Sequence, residues 1–118
     1  MQHLHWTKSI DNKWLNFSQL DLTHIHAVGV YIIWHGGENP QIVRVGQGNI
    51  AAKLTGHRMN HQIMRYGMRG PLMVTWSEIA EPARRDGIEA YLIQQFTPLI
   101  RDKAPEAAPI AASSPFAS

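Results

Sequence analysis

Glu89 is the residue whose surroundings ask for chemistry. It stands in Ile88-Glu89-Ala90-Tyr91-Leu92-Ile93, and on a helical wheel it falls inside the apolar arc of Ile88, Leu92, Ile93 and Phe96. A carboxylate in a packing stripe is costly unless it is paired, hydrogen-bonded or bound to a cation. An ion pair with Arg85, one turn earlier, or a rim position would also satisfy it. Tyr31 raises a similar question from the middle of Val30-Tyr31-Ile32-Ile33-Trp34: it is either plain core, or a phenol whose O–H serves a site. Buried, it needs a hydrogen-bond partner in both cases. Arg44 lies between Val43 and Val45, so strand alternation turns it away from both, into solvent or into a cleft. Lys53 sits one turn before His57, and these polar groups interrupt what should be the packing side of a helix.

The elements that must carry these residues follow from the pattern of the chain. Two β-rich runs, about Ala27 to Trp34 and Ile42 to Val45, flank His35-Gly36-Gly37-Glu38-Asn39-Pro40, which reads as a hairpin loop. The first run is apolar on both parities, which predicts a central strand covered on both faces. Gly46-Gln47-Gly48 is expected as a turn into a helix. Its backbone N–H groups could face an anion, although a tight turn needs glycine for steric reasons anyway. Asn49 suits the N-cap of a helix from about Ile50 to Arg65. Gly56 weakens that helix by about 1 kcal/mol relative to alanine, which suggests close approach of another backbone or of a ligand. A loop from Tyr66 to Pro71 leads to a third strand, Leu72 to Trp76, and Glu81-Pro82 opens a second helix to about Phe96.

The ends of the chain are less regular. Residues 1–26 read as an N-terminal extension, with a short helix or turn near residues 12–20 that packs aromatic side chains over a sheet edge. Residues 27–100 form the main domain. Residues 101–118 are a C-terminal segment of Ala/Pro/Ser composition, either a disordered tail or an ordered last strand. Two histidine pairs have zinc-compatible spacing. His24-x-His26 is more simply one polar face of a strand, and His57-x-x-x-His61 has no carboxylate or cysteine nearby to complete a site.

Size and composition narrow the classes. With 118 residues and no cysteine, the chain is one domain able to bury a core, without disulfides, thiolate catalysis or cysteine-ligated zinc. There is no apolar signal region and no run of transmembrane length, so a cytoplasmic protein with no membrane partner is expected. The net charge is only +2, but between Asn39 and Ser77 there is no Asp or Glu, while Arg44, Lys53, Arg58, Arg65 and Arg69 all fall inside. Such a zone suits a phosphate-bearing partner, or is simply a basic solvated face.

Taken in order, Gly29-Val30-Tyr31, Arg44-Val45-Gly46 after a hairpin, Lys53-Leu54-x-x-His57, and Glu89 with Pro98 beyond it resemble the GIY-YIG nuclease family over roughly residues 27 to 100. The resemblance implies a small α/β domain: a mixed, largely antiparallel sheet of three or four strands with flanking helices. It implies a metal-dependent endonuclease acting on DNA phosphodiester bonds with one Mg²⁺ or Mn²⁺ ion. In that scheme Tyr31 activates or contacts the attacking water, Glu89 holds the metal, and Lys53 with His57 stands where the family has a charge-stabilising arginine and often a histidine. Arg44 occupies the second motif's tyrosine position. The family's terminal asparagine is matched only by position, to Arg101 or to Ser113. Lysine lacks arginine's bidentate fork, so weakened turnover is expected. Arg58, Arg65 and Arg69 are the expected nucleic-acid contacts, and a homodimer or a separate DNA-recognition partner would complete recognition. Two rival readings are a catalytically impaired nucleic-acid-binding module of the same fold, and a small nucleotide-binding enzyme using the Gly46–Gly48 turn. The second is disfavoured because no Lys-Ser/Thr follows the glycines and no acidic residue waits at ribose distance.

Overall fold

The computed structural model describes residues 1–101 and 104–116. Its centre is an antiparallel four-stranded sheet in the order β1-β4-β2-β3. The strands are β1 (Leu15–Asn16), β2 (Val28–His35), β3 (Gln41–Asn49) and β4 (Leu72–Glu78). The helices are α1 (Ile50–Arg58), α2 (His61–Met64) and α3 (Pro82–Phe96), with a 3₁₀ turn (Arg65–Met68) after α2. This is the small α/β domain that the sequence implies, and the sheet is antiparallel throughout.

β2 is interior, as a run apolar on both parities requires. On one side Tyr31 and Ile33 pack with Ile50, Leu54 and Ile63; on the other Val30, Ile32 and Trp34 pack with Ile88 and Leu92. Successive strand residues point to opposite faces, so α1 and α3 cover opposite sides of the sheet.

Three local expectations change. The Gly46-Gln47-Gly48 turn is strand: Gly46 pairs with Tyr31, Gln47 with Val30 and Gly48 with Gly29. Its backbone belongs to the ladder, so no phosphate-cradling turn forms there, and the nucleotide-binding alternative loses its support. The helix expected to reach Arg65 breaks after Arg58, where Asn60 is extended and its side chain accepts from the Gln62 backbone N–H, capping α2. That break separates His57 from His61, so the pair is not a same-face ligand pair on one helix. Finally, Ile33 pairs with Arg44 but Trp34 pairs with Ile42, which leaves Val43 as the extra residue of a bulge. Val43 therefore packs with Tyr31 and Ile33 while Val45 packs on the opposite face. Bulges re-aim side chains in this way, and Arg44 ends on the Tyr31 side of the sheet.

Both terminal segments are built into the domain. Near residues 12–20 the chain forms β1 and a turn rather than a helix; Leu15 pairs with Val74, and Phe17 is fully buried. At the other end a single bridge joins Ala112 to Gln2, in place of a last strand. Ser113 secures it: its Oγ accepts from the Leu4 backbone N–H at 2.8 Å and its carbonyl from the Trp6 indole at 2.9 Å. Phe116 stands edge-on to Trp34 with ring centroids 4.9 Å apart. Among the described residues no helix is long and apolar enough to cross a membrane.

Gly56 has nothing within 4 Å of where a Cβ would stand, so neither backbone nor side chain approaches it. Its substitution should relieve only helix entropy: Gly56→Ala is expected to stabilise the fold by about 0.5–1 kcal/mol, read as a rise in the denaturation midpoint with unchanged slope. A loss of stability would mean that this turn of α1 is held in a conformation only glycine adopts.

Candidate active site

The site forms where side chains from both faces of the sheet meet at the outer edge of β3. Tyr31 comes from the α1 side. Opposite it in the ladder is Gly46, and a Cβ on Gly46 would overlap the phenol oxygen and ring of Tyr31. The absence of that atom lets the phenol lie across β3 toward its edge. Its hydroxyl is 2.6 Å from His57 Nε2 of α1. With the imidazole proton on Nδ1, the phenol donates to Nε2, which satisfies a hydroxyl on a residue only 1% exposed. Lys53 reaches the same edge over Gly48, where a Cβ would come within 3.2 Å of Lys53 Cε. Gly48 also has φ +123°, a conformation that disfavours side-chain-bearing residues.

Glu89 arrives from the other face, on α3. It is steered by Gln47, which lies opposite Val30 in the ladder and points toward α3. Gln47 Nε2 donates to an Asp86 carboxylate oxygen and, at 3.3 Å, to Glu89 Oε1, while its Oε1 accepts from Arg85 Nε at 3.2 Å. Arg85 Nη1 also donates to the Ile79 and Ala80 carbonyls at 3.0 and 2.7 Å. The arginine that sequence spacing offers as an ion-pair partner for Glu89 thus holds the loop before α3 and the far end of Gln47. Beyond α3 the chain runs along the β3 edge, with Leu99 N–H donating to the Ile42 carbonyl at 3.0 Å and Ile100 N–H to the Val43 carbonyl at 2.9 Å. This seats Pro98, Ile100 and Arg101 as the remaining wall.

The result is a polar cleft of about 180 Å³, lined by Tyr31, Arg44, Gln47, Lys53, Glu89 and Arg101 among others. His57 stands behind Tyr31. All five residues singled out as catalytic, Tyr31, Arg44, Lys53, His57 and Glu89, are therefore gathered in one place. Burial pushes the Glu89 carboxyl above its ordinary value; the Gln47 hydrogen bond and the positive charges of Arg44 and Lys53 pull the other way, and the Asp86 charge adds to the rise. Desolvation prevails.

The donor set also bears on a metal. No group of three or more His, Cys, Asp or Glu gathers among the described residues, so no all-protein cage is built. One half-buried carboxylate opening on a polar cleft suits Mg²⁺ or Mn²⁺ of the kind that keeps several waters and takes its other oxygens from a phosphate. Glu89 fits that role.

The arginines expected to meet nucleic acid divide. Arg58 is structural: it donates to the Phe17 carbonyl from Nε at 3.1 Å and from Nη2 at 2.6 Å, and also to the Leu20 carbonyl. This ties the N-terminal turn to α1. Arg69 bonds Gln41 Oε1 at 3.1 Å and lines a different hollow with His35 and Glu38. Arg65 is exposed beside the cleft wall. Of the two positions aligned with the terminal asparagine, Arg101 lines the cleft and Ser113 is occupied at the terminal junction. Sequence reasoning passed over Gln47; its only signal was a polar residue between two glycines at the end of a strand. No family model matches the chain, and neither a curated protein nor a solved structure does; the functional reading therefore rests on the motifs and this geometry.

The raised Glu89 carboxyl has a measurable consequence for stability. The unfolded chain ionises this group near its ordinary 4.5, before the folded chain does, so Glu89 withdraws stability as pH rises through and above that value. Glu89→Gln, which keeps the shape and a hydrogen-bond acceptor, is expected to melt at or above the wild-type temperature at neutral pH, with the difference vanishing in acid below pH 4.5. A variant that melts lower at neutral pH would mean that the charged form is the better satisfied one.

Proposed function

We propose that this protein is a metal-dependent endonuclease of the GIY-YIG kind, hydrolysing DNA phosphodiester bonds. The observation that carries this reading is the convergence of a Tyr31–His57 hydrogen-bonded pair, Lys53, Arg44 and Glu89 on one open polar cleft. Hydrolysis of a phosphodiester needs a proton acceptor near the attacking water, positive charge over the non-bridging oxygens, and help for the departing oxygen. The cleft offers residues of each type.

Tyr31 starts the reaction. Its oxygen can take a proton from water while its own proton passes to His57 Nε2 along the 2.6 Å bond, so the pair accepts a proton without leaving a free phenolate in a desolvated place. The water oxygen bonds to phosphorus, the bond from phosphorus to the departing sugar oxygen breaks, and that oxygen takes a proton from solvent. Lys53 and Arg44 supply the positive charge over the phosphate oxygens. Gln47 keeps Glu89 aimed along the cleft. A divalent ion held by Glu89 would supply Lewis-acid polarisation of the phosphate and neutralise charge on the leaving oxygen.

Lys53 sets the pace in this scheme. An ammonium is a point charge, whereas a guanidinium at the same place could hold two phosphate oxygens at once. Losing one such stabiliser outright typically costs about 10²- to 10³-fold in rate, and lysine, which keeps the charge, should lose part of that. Plasmid nicking in Mg²⁺ or Mn²⁺ tests both levels. Wild type should nick slowly, Glu89→Ala should fall by about 10²-fold or more, and Lys53→Arg should nick faster than wild type with DNA affinity nearly unchanged. A wild type that is inert with both ions but binds DNA would replace this reading with that of a nucleic-acid-binding module. A Glu89→Ala variant as active as wild type would remove Glu89 from the chemistry.

A further inference from the structure

The cleft does not end at Arg101. A second hollow of about 380 Å³ adjoins it, lined by Gln62, Arg65, Tyr66, Leu99, Ile100 and Arg101, and Ile100 and Arg101 belong to both. Among the described residues the lining contains two exposed arginines and an exposed amide, and no carboxylate. Its floor is fixed from two directions. The Ile42 and Val43 carbonyls hold Leu99 and Ile100 through their backbone N–H groups, and Tyr66, buried at 9% exposure, lies under the Arg65 guanidinium, 5.4 Å from ring centroid to carbon. Stacking on an aromatic face restrains a guanidinium while leaving its N–H donors available.

Three other arginines sharpen the choice of path. Arg58 is taken up by backbone carbonyls. Arg69 shares its hollow with a carboxylate, Glu38. Arg84 bonds Gln2 Oε1 and lies 3.7 Å from Glu81. Among the described residues, the cleft continues on the α2 side into a surface lined by positive charge and by no carboxylate.

We infer that Arg101 and Arg65 form a phosphate-binding groove that grips the scissile strand on one side of the cleft only. Resting on the nuclease reading, this adds a polarity to it: the backbone passes from Lys53 and Arg44 across Arg101 to Arg65, and phosphates on the other side of the scissile bond meet no comparable pair among the described residues. Contacts to phosphate position a strand without reading its sequence, so the groove sets register and direction rather than base preference.

Binding measured without turnover separates this inference from the catalytic one. Fluorescence anisotropy with a labelled DNA duplex in EDTA, over a range of salt, is compared for wild type, Arg65→Ala, Arg101→Ala and the double variant. Lys13→Ala, at the opposite sheet edge, serves as a charge-matched control. Each single variant should bind more weakly and lower the slope of log affinity against log salt by about 0.9, the double variant by about twice that, while Lys13→Ala changes neither. Methylphosphonates placed one at a time should weaken wild-type binding on one side of the cleavage point only, and the double variant should be insensitive to them. Unchanged affinity and slope in the double variant, or equal sensitivity on both sides, would overturn the groove while leaving the nuclease reading untouched. No DNA binding by wild type at low salt would overturn the groove as well. Normal salt slopes with no cleavage in any metal would support the groove and count against the nuclease.

Discussion

A phenol can cross an edge strand only where the strand leaves it room. Tyr31 is in the second strand from the edge, its hydroxyl reaches the edge, and Gly46 stands between. Any side chain at Gly46 would meet the phenol itself, and the tyrosine would have to leave its rotamer or push the helix bearing His57 away. The Tyr31–His57 bond, the open wall of the cleft and the placement of Lys53 over Gly48 all follow from two residues without side chains in one strand. Because the glycines are paired in the ladder, the strand retains its register with β2 despite their permissive backbones.

The second constraint is electrostatic. The cleft joins residues from opposite faces of one sheet, so Glu89 has to leave the apolar side of α3 and still avoid being sealed in. Gln47 makes this workable: one amide bridges Asp86 and Glu89, and is itself held by Arg85. Arg44 and Lys53 partly offset the desolvation of the carboxylate but do not overcome it. A cleft containing an imperfectly solvated carboxylate among cations is less stable than a filled one. Stability is drawn from elsewhere, notably the core on both faces of β2 and the terminal segments fastened through Ser113 and Phe116.

Much of the fold was legible because the strongest patterns are the long ones. The two-sided apolar run of β2 and the proline-initiated α3 mark elements that exist to within a residue or so at their ends, and the Asn49 cap marks where α1 begins. What failed was local and has local causes. A Gly-Gln-Gly sequence has the composition of a turn, but cross-strand partners hold it extended. Asn60 competes with the helix by capping the next one, so a continuous periodicity conceals a break. A bulge at Val43 cannot be seen in an alternating pattern, yet it decides which face Arg44 takes. At the site, Tyr31, Lys53 and Glu89 were visible as polar groups in apolar places. Gln47 was not, and Arg101 stood only as one of two positional matches, because the place of each depends on the long-range packing of the β3 edge against α3 and the chain that follows it. Arg58 is a related case: positive charge in a basic stretch says nothing about the Phe17 and Leu20 carbonyls that reach it from far earlier in the chain.

The central claim is that Tyr31 and Glu89, from opposite faces of the sheet, serve one reaction. Single-turnover cleavage of a labelled DNA duplex in Mg²⁺ or Mn²⁺ by Tyr31→Phe, Glu89→Ala and the double variant tests it most directly, because residues that act as a unit are strongly non-additive. The account predicts that the double variant is barely slower than the slower single variant. Losses that multiply in full, or a double variant no slower than wild type, would contradict it.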